Sequence, residues 1–289
     1  MSKFSISNFP NKFFNEVITL DKFKNQNYIQ NIISSFHDYD NLYFISKYYD
    51  GNIADIINYK WNENEIKFFS ACLIQIFITL RKNYIIHRDI HYWNLMLDEI
   101  NYIVLIDFHL AKDYKNKDVN YKNEIGSPSF CAPEIIQHID YDYNSDYYRL
   151  GVMIYHNILK EYPNKKREKY NLTDVIIDYN STVNLSYACI DFINKLLVYD
   201  KKKRIGFKNV EELKNHIFFH DFDWENFKKR IMKSPFKKSI INKQGLCKNL
   251  YKLQKKVFVT TKLMNNNTFK NILLSYDKSN EMVIKNIIK

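Results

Sequence analysis

Glycine is scarce in this sequence, with five residues among 289, and none stands before Gly51. That excludes a glycine-rich, phosphate-cradling loop from the first fifty positions. Cysteine is as rare: Cys72, Cys131, Cys189 and Cys247 lie far apart with no metal-ligand spacing. They read as reduced packing residues of a cytosolic protein, and a zinc site is not expected. No apolar run approaches the roughly 20 residues of a membrane span. Met1-Ser2-Lys3-Phe4 opens no signal-peptide core and puts no glycine at position 2 for myristoylation. Acidic residues are in deficit, 32 against 43 Lys and Arg, for a formal charge of +11. Such an excess suits nucleic acid, anionic lipid or acidic substrates. Here Lys, Asn, Ile and Tyr are abundant everywhere, so the excess is a global trait of composition and nucleic acid is not the expected partner. The expected location is the cytoplasm, with the nucleus as the alternative. At 46% hydrophobic residues the chain suffices for one or two packed domains.

What is present is concentrated in two short stretches. His87-Arg88-Asp89-Ile90-His91-Tyr92-Trp93-Asn94 is followed after a short interval by Asp107-Phe108-His109. An Asp, an Asn five residues on and a second Asp in a strand-turn setting form the layout that phosphoryl transfer needs. Asp89 can accept the proton of an attacking hydroxyl, and Asn94 and Asp107 offer hard oxygen ligands for Mg²⁺ against ATP phosphates. Ile85-Ile86 leads in, Leu95-Met96-Leu97 follows Asn94 and Ile103-Val104-Leu105-Ile106 precedes Asp107. Each ligand is therefore expected at the end of a short buried strand. These residues resemble the eukaryotic protein kinase family, which implies an α+β, two-lobed fold with a mainly helical C-lobe, and ATP and Mg²⁺ as cofactors.

Towards the N-terminus the pattern from Lys12 to about Lys24 predicts a helix, with Phe13, Val17 and Leu20 on one face and Glu16 beside them. It resembles the kinase helix whose Glu pairs with a lysine of the ATP site. Ile29 to Phe36 and Leu42 to Ser46 predict a hairpin through His37-Asp38-Tyr39-Asp40-Asn41. By resemblance Ser46 is the gatekeeper, and Lys47, Tyr48 and Tyr49 form the hinge that meets adenine. Met96, on the strand after Asn94, joins these as a nucleotide-contacting position. Asn62-Glu63-Asn64-Glu65 reads as a capping box opening an amphipathic helix to Lys82-Asn83, with Ile66, Phe69, Leu73, Ile76, Phe77 and Leu80 as its stripe.

Beyond Asp107, Gly126-Ser127-Pro128-Ser129-Phe130-Cys131-Ala132-Pro133-Glu134 resembles the close of an activation segment. The resemblance implies a Ser127 hydroxyl touching Asp89, which favours Ser or Thr as acceptor. Arg88 would pair with a phosphate on this segment, yet the usual phosphosite falls on Asn123; Ser127 and Ser129 are unranked alternatives. Asp146, before Leu150-Gly151-Val152-Met153-Ile154, resembles the buried helix Asp that hydrogen-bonds the catalytic-loop backbone. Arg204 is expected to pair with Glu134. His216 to Trp224 and Ser234-Pro235-Phe236-Lys237 resemble the end of an AGC-group kinase domain and the start of its tail. Ile241 to Cys247 is most similar to the YANK subfamily, and from Asn265 the Asn- and Lys-rich chain is expected to be disordered or loosely helical.

The chain departs from the family in four places. The glycine loop and the ATP-site lysine are missing by this alignment, so the resemblance implies a truncated N-lobe over 1–46, by gene loss or a wrong start site, or one covered by a partner. The remaining divisions are a hinge and C-lobe over 47–228, a tail over 229–263 and a terminus over 264–289. His91 stands where a phosphate-following lysine is usual, and losing such a contact costs roughly 10² to 10³ in rate. His109 replaces a glycine and predicts a backbone strained by roughly 1–2 kcal/mol. Two functions follow: impaired transfer of the ATP γ-phosphoryl to protein Ser or Thr, or a pseudokinase that docks protein partners.

Overall fold

The computed structural model describes residues 16–37, 42–49, 51–115, 127–138, 142–164, 166, 175–178 and 185–236. Phe13, the hairpin turn at 38–41, Asn123, Gly126, Cys247 and everything from 237 onward lie outside them.

The architecture is α+β, built from short antiparallel strands on one side of a helical bundle. Helix α1 is described from residue 16 to 21. It buries Val17 and Leu20, as the spacing predicts, and ends in turns before Lys24. Strands β1 (Ile32–His37) and β2 (Leu42–Ser46) pair antiparallel with Ile32 opposite Ser46. The predicted strand start at Ile29 is corrected. Residues 28–30 turn away to the other sheet, where Ile29 bridges Leu105, the Leu105 amide donates to the Tyr28 carbonyl and the Gln30 amide donates to the Leu105 carbonyl.

That second sheet has the order β3 (Gly51–Asn52), β5 (Leu95–Leu97), β6 (Ile103–Leu105). A third ladder joins β4 (Ile85–Ile86) to β7 (Lys112–Asp113). Together β4, β5 and β6 hold both ends of the candidate catalytic loop.

The loop rests on helix α2 (Glu63–Lys82), which begins with the capping box: the Asn62 side chain accepts from the Glu65 amide, and the Glu65 carboxylate accepts from the Asn62 amide. The predicted stripe is buried, but Phe68, Cys72 and Ile74 are buried too. The helix is enclosed rather than half-exposed, because Phe68 packs edge-on against Tyr102, Phe227 and Phe236. After the short helix α3 (Pro133–Ile136), helix α4 (Tyr143–Leu159) crosses beneath the loop. Gly151 lets α4 meet α5 (Tyr187–Leu196): a Cβ there would stand 2.9 Å from the Leu196 Cβ. Helices α6 (Glu211–Lys214) and α7 (Trp224–Lys228) complete the bundle. Among the described residues no helix is long and apolar enough to cross a membrane.

Candidate active site

The loop from His87 to Asn94 is pinned from below. Both oxygens of Asp146 accept backbone amides, from His87 at 2.9 Å and from Arg88 at 3.1 Å. Asp146 is fully buried, and burial raises its carboxyl to about 6 against the pull of Arg149 and the two amides. His87 is buried as well. Burial lowers its ring to about 4, so the neutral imidazole donates from Nε2 to the Ile106 carbonyl at 3.1 Å. The ring stands edge-on to Phe108, which packs on Phe23 in the turn after α1. Arg88 sits at φ +71° and donates from Nε to the Leu110 carbonyl at 2.6 Å.

Asp89 stands at the centre. Its Oδ1 accepts the Ser127 backbone amide at 3.0 Å, and its Oδ2 lies 3.3 Å from His91 Nε2. Burial acts to raise this carboxyl, but His91, the Ser127 amide and Arg149 hold it well below the usual carboxylate range. It is therefore an ionised acceptor at neutral pH. The expected Ser127 hydroxyl contact is corrected: the amide makes it, because Ser127 leads into the 3-10 turn Pro128–Phe130 with its N–H turned to the loop. Asn94 closes the turn, its Nδ2 donating to the Asp89 carbonyl at 2.9 Å, and its own carbonyl accepts the Ile106 amide at 3.0 Å. Asn94 thus lies beside the strand end that delivers Asp107.

Asp107 has φ +64°. The left-handed residue of this turn is therefore the Asp and not His109, which corrects the strain expected at 109. His109 instead turns its Nδ1 onto Asp107 Oδ1 in a short contact. Burial would raise Asp107, yet the His109 bond and the His87 ring lower it, while the same bond raises His109. Glu16 reaches the turn from α1 and accepts the Phe108 amide at 3.2 Å; burial first, then the Asp107 charge, push its carboxyl up to about 7.

The remaining predicted positions fall on β2, on the link after it and on β5. Ser46 ends β2 and its Oγ accepts from Gln30 Nε2 at 2.9 Å, while Gln30 Oε1 accepts the Asp107 amide at 3.3 Å. Lys47 and Tyr48 are exposed on the extended link from β2 to β3, with Lys47 Nζ 2.6 Å from Glu99; Tyr49 is buried. Met96 is half-buried on β5, and its sulfur accepts from Asn52 Nδ2 at 3.1 Å. Gln30 and Arg149 escaped the sequence reading. A glutamine in an apolar strand carries no signal, whereas an arginine inside the apolar run of α4 could have been noticed.

The donor set suits a magnesium nucleotide. Asp107 and Asn94 bring hard oxygen donors from adjoining segments, since the Asn94 carbonyl accepts the Ile106 amide, and burial together with the Asp107 charge raises Glu16. Among the described residues no group of three or more His, Cys, Asp or Glu is placed to hold a metal alone. Magnesium fits such a pair when phosphate and water oxygens complete its shell. The expected Arg204–Glu134 pair is bidentate and buried at 2.7 and 3.0 Å, and Ser145 Oγ adds a bond to Glu134 at 2.8 Å.

Comparison with known proteins identifies the family. The family profile described as "Protein kinase domain" matches residues 2–219. Serine/threonine-protein kinase sgk-1 of Caenorhabditis elegans is 29% identical over 76% of this chain and 48% of its own. Protein kinase C-like 1B of the same organism is 29% identical over 73% and 31%. Serine/threonine-protein kinase N2 of Danio rerio is 27% identical over 76% and 23%. The chain thus spans less than half the length of these relatives.

Proposed function

Because the chain belongs to the protein kinase family and is similar to serine/threonine kinases of the AGC group, we propose that it transfers the γ-phosphoryl of ATP to Ser or Thr of a protein. One observation carries this reading: Asp89, Asn94 and the strand end before Asp107 are joined by hydrogen bonds above a loop that Asp146 pins.

Asp89 takes the proton of the acceptor hydroxyl as that oxygen bonds to the γ-phosphorus and the bond to the departing ADP oxygen breaks. Its depressed basicity suits orientation of the hydroxyl until the proton is released late in the step. Bound Mg²⁺, held by Asn94 and Asp107, would neutralise charge on the phosphate oxygens. Ser46, Lys47, Tyr48, Tyr49 and Met96 surround the adenine side, and Glu16 fixes the Phe108 amide behind the metal ligand. Ser127 aligns Asp89 from the acceptor side through its amide. His91, against Asp89 Oδ2, gives less permanent charge than a lysine would, so turnover is slow. We place the protein in the cytoplasm or nucleus, supported by the burial of Cys72, Cys131 and Cys189 in the core.

A pseudokinase is the second reading, favoured by the His109 ring on the Asp107 oxygen that a metal needs. It would dock a protein over the small lobe, where Ile18 and Ile33 are 47% and 48% exposed.

Thermal unfolding with Mg²⁺ and ATP separates the two. Saturation at about 100 times the dissociation constant adds roughly 2.7 kcal/mol. A Mg²⁺-dependent rise in Tm that Asp107→Asn abolishes, together with phosphotransfer that Asp89→Asn abolishes, is the expected result. No shift at millimolar nucleotide overturns the enzyme reading and leaves the docking module.

A further inference from the structure

Arg149 lies on α4, one turn after Asp146, inside an apolar run, and it is fully buried. A guanidinium out of water needs acceptors or opposite charge around it, so its surroundings are informative. Its Nη2 donates to the Arg88 carbonyl at 2.6 Å and faces Cys131 Sγ at 3.8 Å. Its Nη1 stands 4.0 Å from Asp89 Oδ1, the oxygen that accepts the Ser127 amide. Among the described residues, Nε and Nη1 have no hydrogen-bond acceptor. The side chain is thus underused as a donor and spans the catalytic-loop backbone, the carboxylate of the base and the end of the 127–131 turn.

We propose that Arg149 is a positioning residue for the transfer step, holding the Asp89 carboxylate from beneath and tying it to the turn on the acceptor side. The proposal rests on the reading of Asp89 as the base. Position 91 carries an imidazole, and Arg149 brings a permanent cation to 4.0 Å from Asp89. Its planar guanidinium donates to a carbonyl while holding its charge 4.0 Å from a carboxylate, a geometry that a lysine's single ammonium does not reproduce. The simpler role is to neutralise Asp146, whose carboxyl the Arg149 charge also lowers. The two roles part in their effect on the loop and on turnover.

The test uses the full chain with Arg149→Gln and Arg149→Lys. It reads kcat and the KM for MgATP and for a protein substrate, and in parallel the amide exchange of residues 87–94 against that of α4. Expected for Arg149→Gln is a kcat lowered about 10²-fold, the scale of one lost electrostatic contact, with the KM for ATP within about twofold. Loop amides should exchange about tenfold faster while those of α4 are unchanged. Arg149→Lys keeps the charge and loses the fork, so it should fall between, about tenfold down. A folded Gln variant with wild-type kcat or wild-type loop exchange overturns the proposal. So does a Gln variant whose α4 amides loosen with the loop and whose activity lysine does not recover, since that is helix packing. If the Gln variant does not fold, a Lys variant with wild-type kcat and loop exchange overturns it. Absence of transfer by the wild type would reject the kinase reading and the transfer role with it, whereas wild-type transfer with an unaffected Gln variant would reject the role of Arg149 alone.

Discussion

Burial and the neighbouring Asp107 charge push the Glu16 carboxyl up to about 7 from an ordinary 4.5. The folded chain therefore holds this proton more tightly than the unfolded chain. The resulting stabilisation is fully present below about pH 4.5 and is lost as pH rises through about 7, a span of about 3 kcal/mol. In metal-free buffer, Glu16→Gln should match wild type in urea unfolding near pH 4.5 and exceed it by up to about 3 kcal/mol at pH 8. Parallel pH curves for the two proteins would show that Glu16 is not the titrating group. Arg204 is a contrasting case, since its partner Glu134 is held below the ordinary carboxylate value by the guanidinium in spite of burial. Arg204→Met leaves Glu134 buried without its counter-ion and should cost about 3–5 kcal/mol in chemical denaturation. A loss under 1 kcal/mol would mean that water reaches Glu134.

Among the elements, α4 is the one whose placement decides the site, because it carries both Asp146 and Arg149 beneath the catalytic loop. Its approach to α5 depends on Gly151. An added methyl would meet the Leu196 Cβ at 2.9 Å and the Leu197 Cδ2 at 3.0 Å. Gly151→Ala gains in helix propensity but overpacks this crossing, and a net loss of about 1–3 kcal/mol in thermal unfolding is expected. An unchanged Tm would indicate that α5 can slide. Helix α2 depends on its cap, and Asn62→Ala should cost about 0.5–2 kcal/mol with no change in nucleotide affinity. Loss of affinity as well would mean that the helix start is coupled to the site.

At the scale of the whole molecule, the stretch after α7 belongs to the core. Arg230 pairs with Asp98 and lies over the Tyr102 ring at 4.6 Å. Tyr102 donates to the Met232 carbonyl at 2.8 Å, and Ser234 donates to the Asn101 carbonyl at 2.9 Å. Phe236, 2% exposed, closes on Trp61 and Phe68. Phe236→Ala should therefore lower global stability by about 3–5 kcal/mol, not merely release an end. Denaturation followed both by tryptophan fluorescence and by helical circular dichroism should keep coincident midpoints; separate midpoints would assign this stretch to an independent unit.

The grouping of Asp89, Asn94 and Asp107 was legible in the sequence because it is written in short runs. Asp89 and Asn94 share one loop and Asp107 follows an apolar strand, so spacing alone orders them; the place of Asp146 beneath the loop came from resemblance. The Arg204–Glu134 pair was legible by resemblance. Other features depend on how distant segments meet. Gln30 links Ser46 to Asp107 only because residues 28–30 leave the hairpin for β6. Glu16 accepts an amide because α1 docks on the turn at Phe108, and Ser127 uses its backbone because the turn after it faces the loop. The left-handed angle fell on Asp107 where the resemblance pointed to His109, since the path out of β6 selects the residue that must bend. Arg149 is the clearest case: sequence places a cation in a buried helix, and only the crossing of α4 under the loop decides that it faces Asp89.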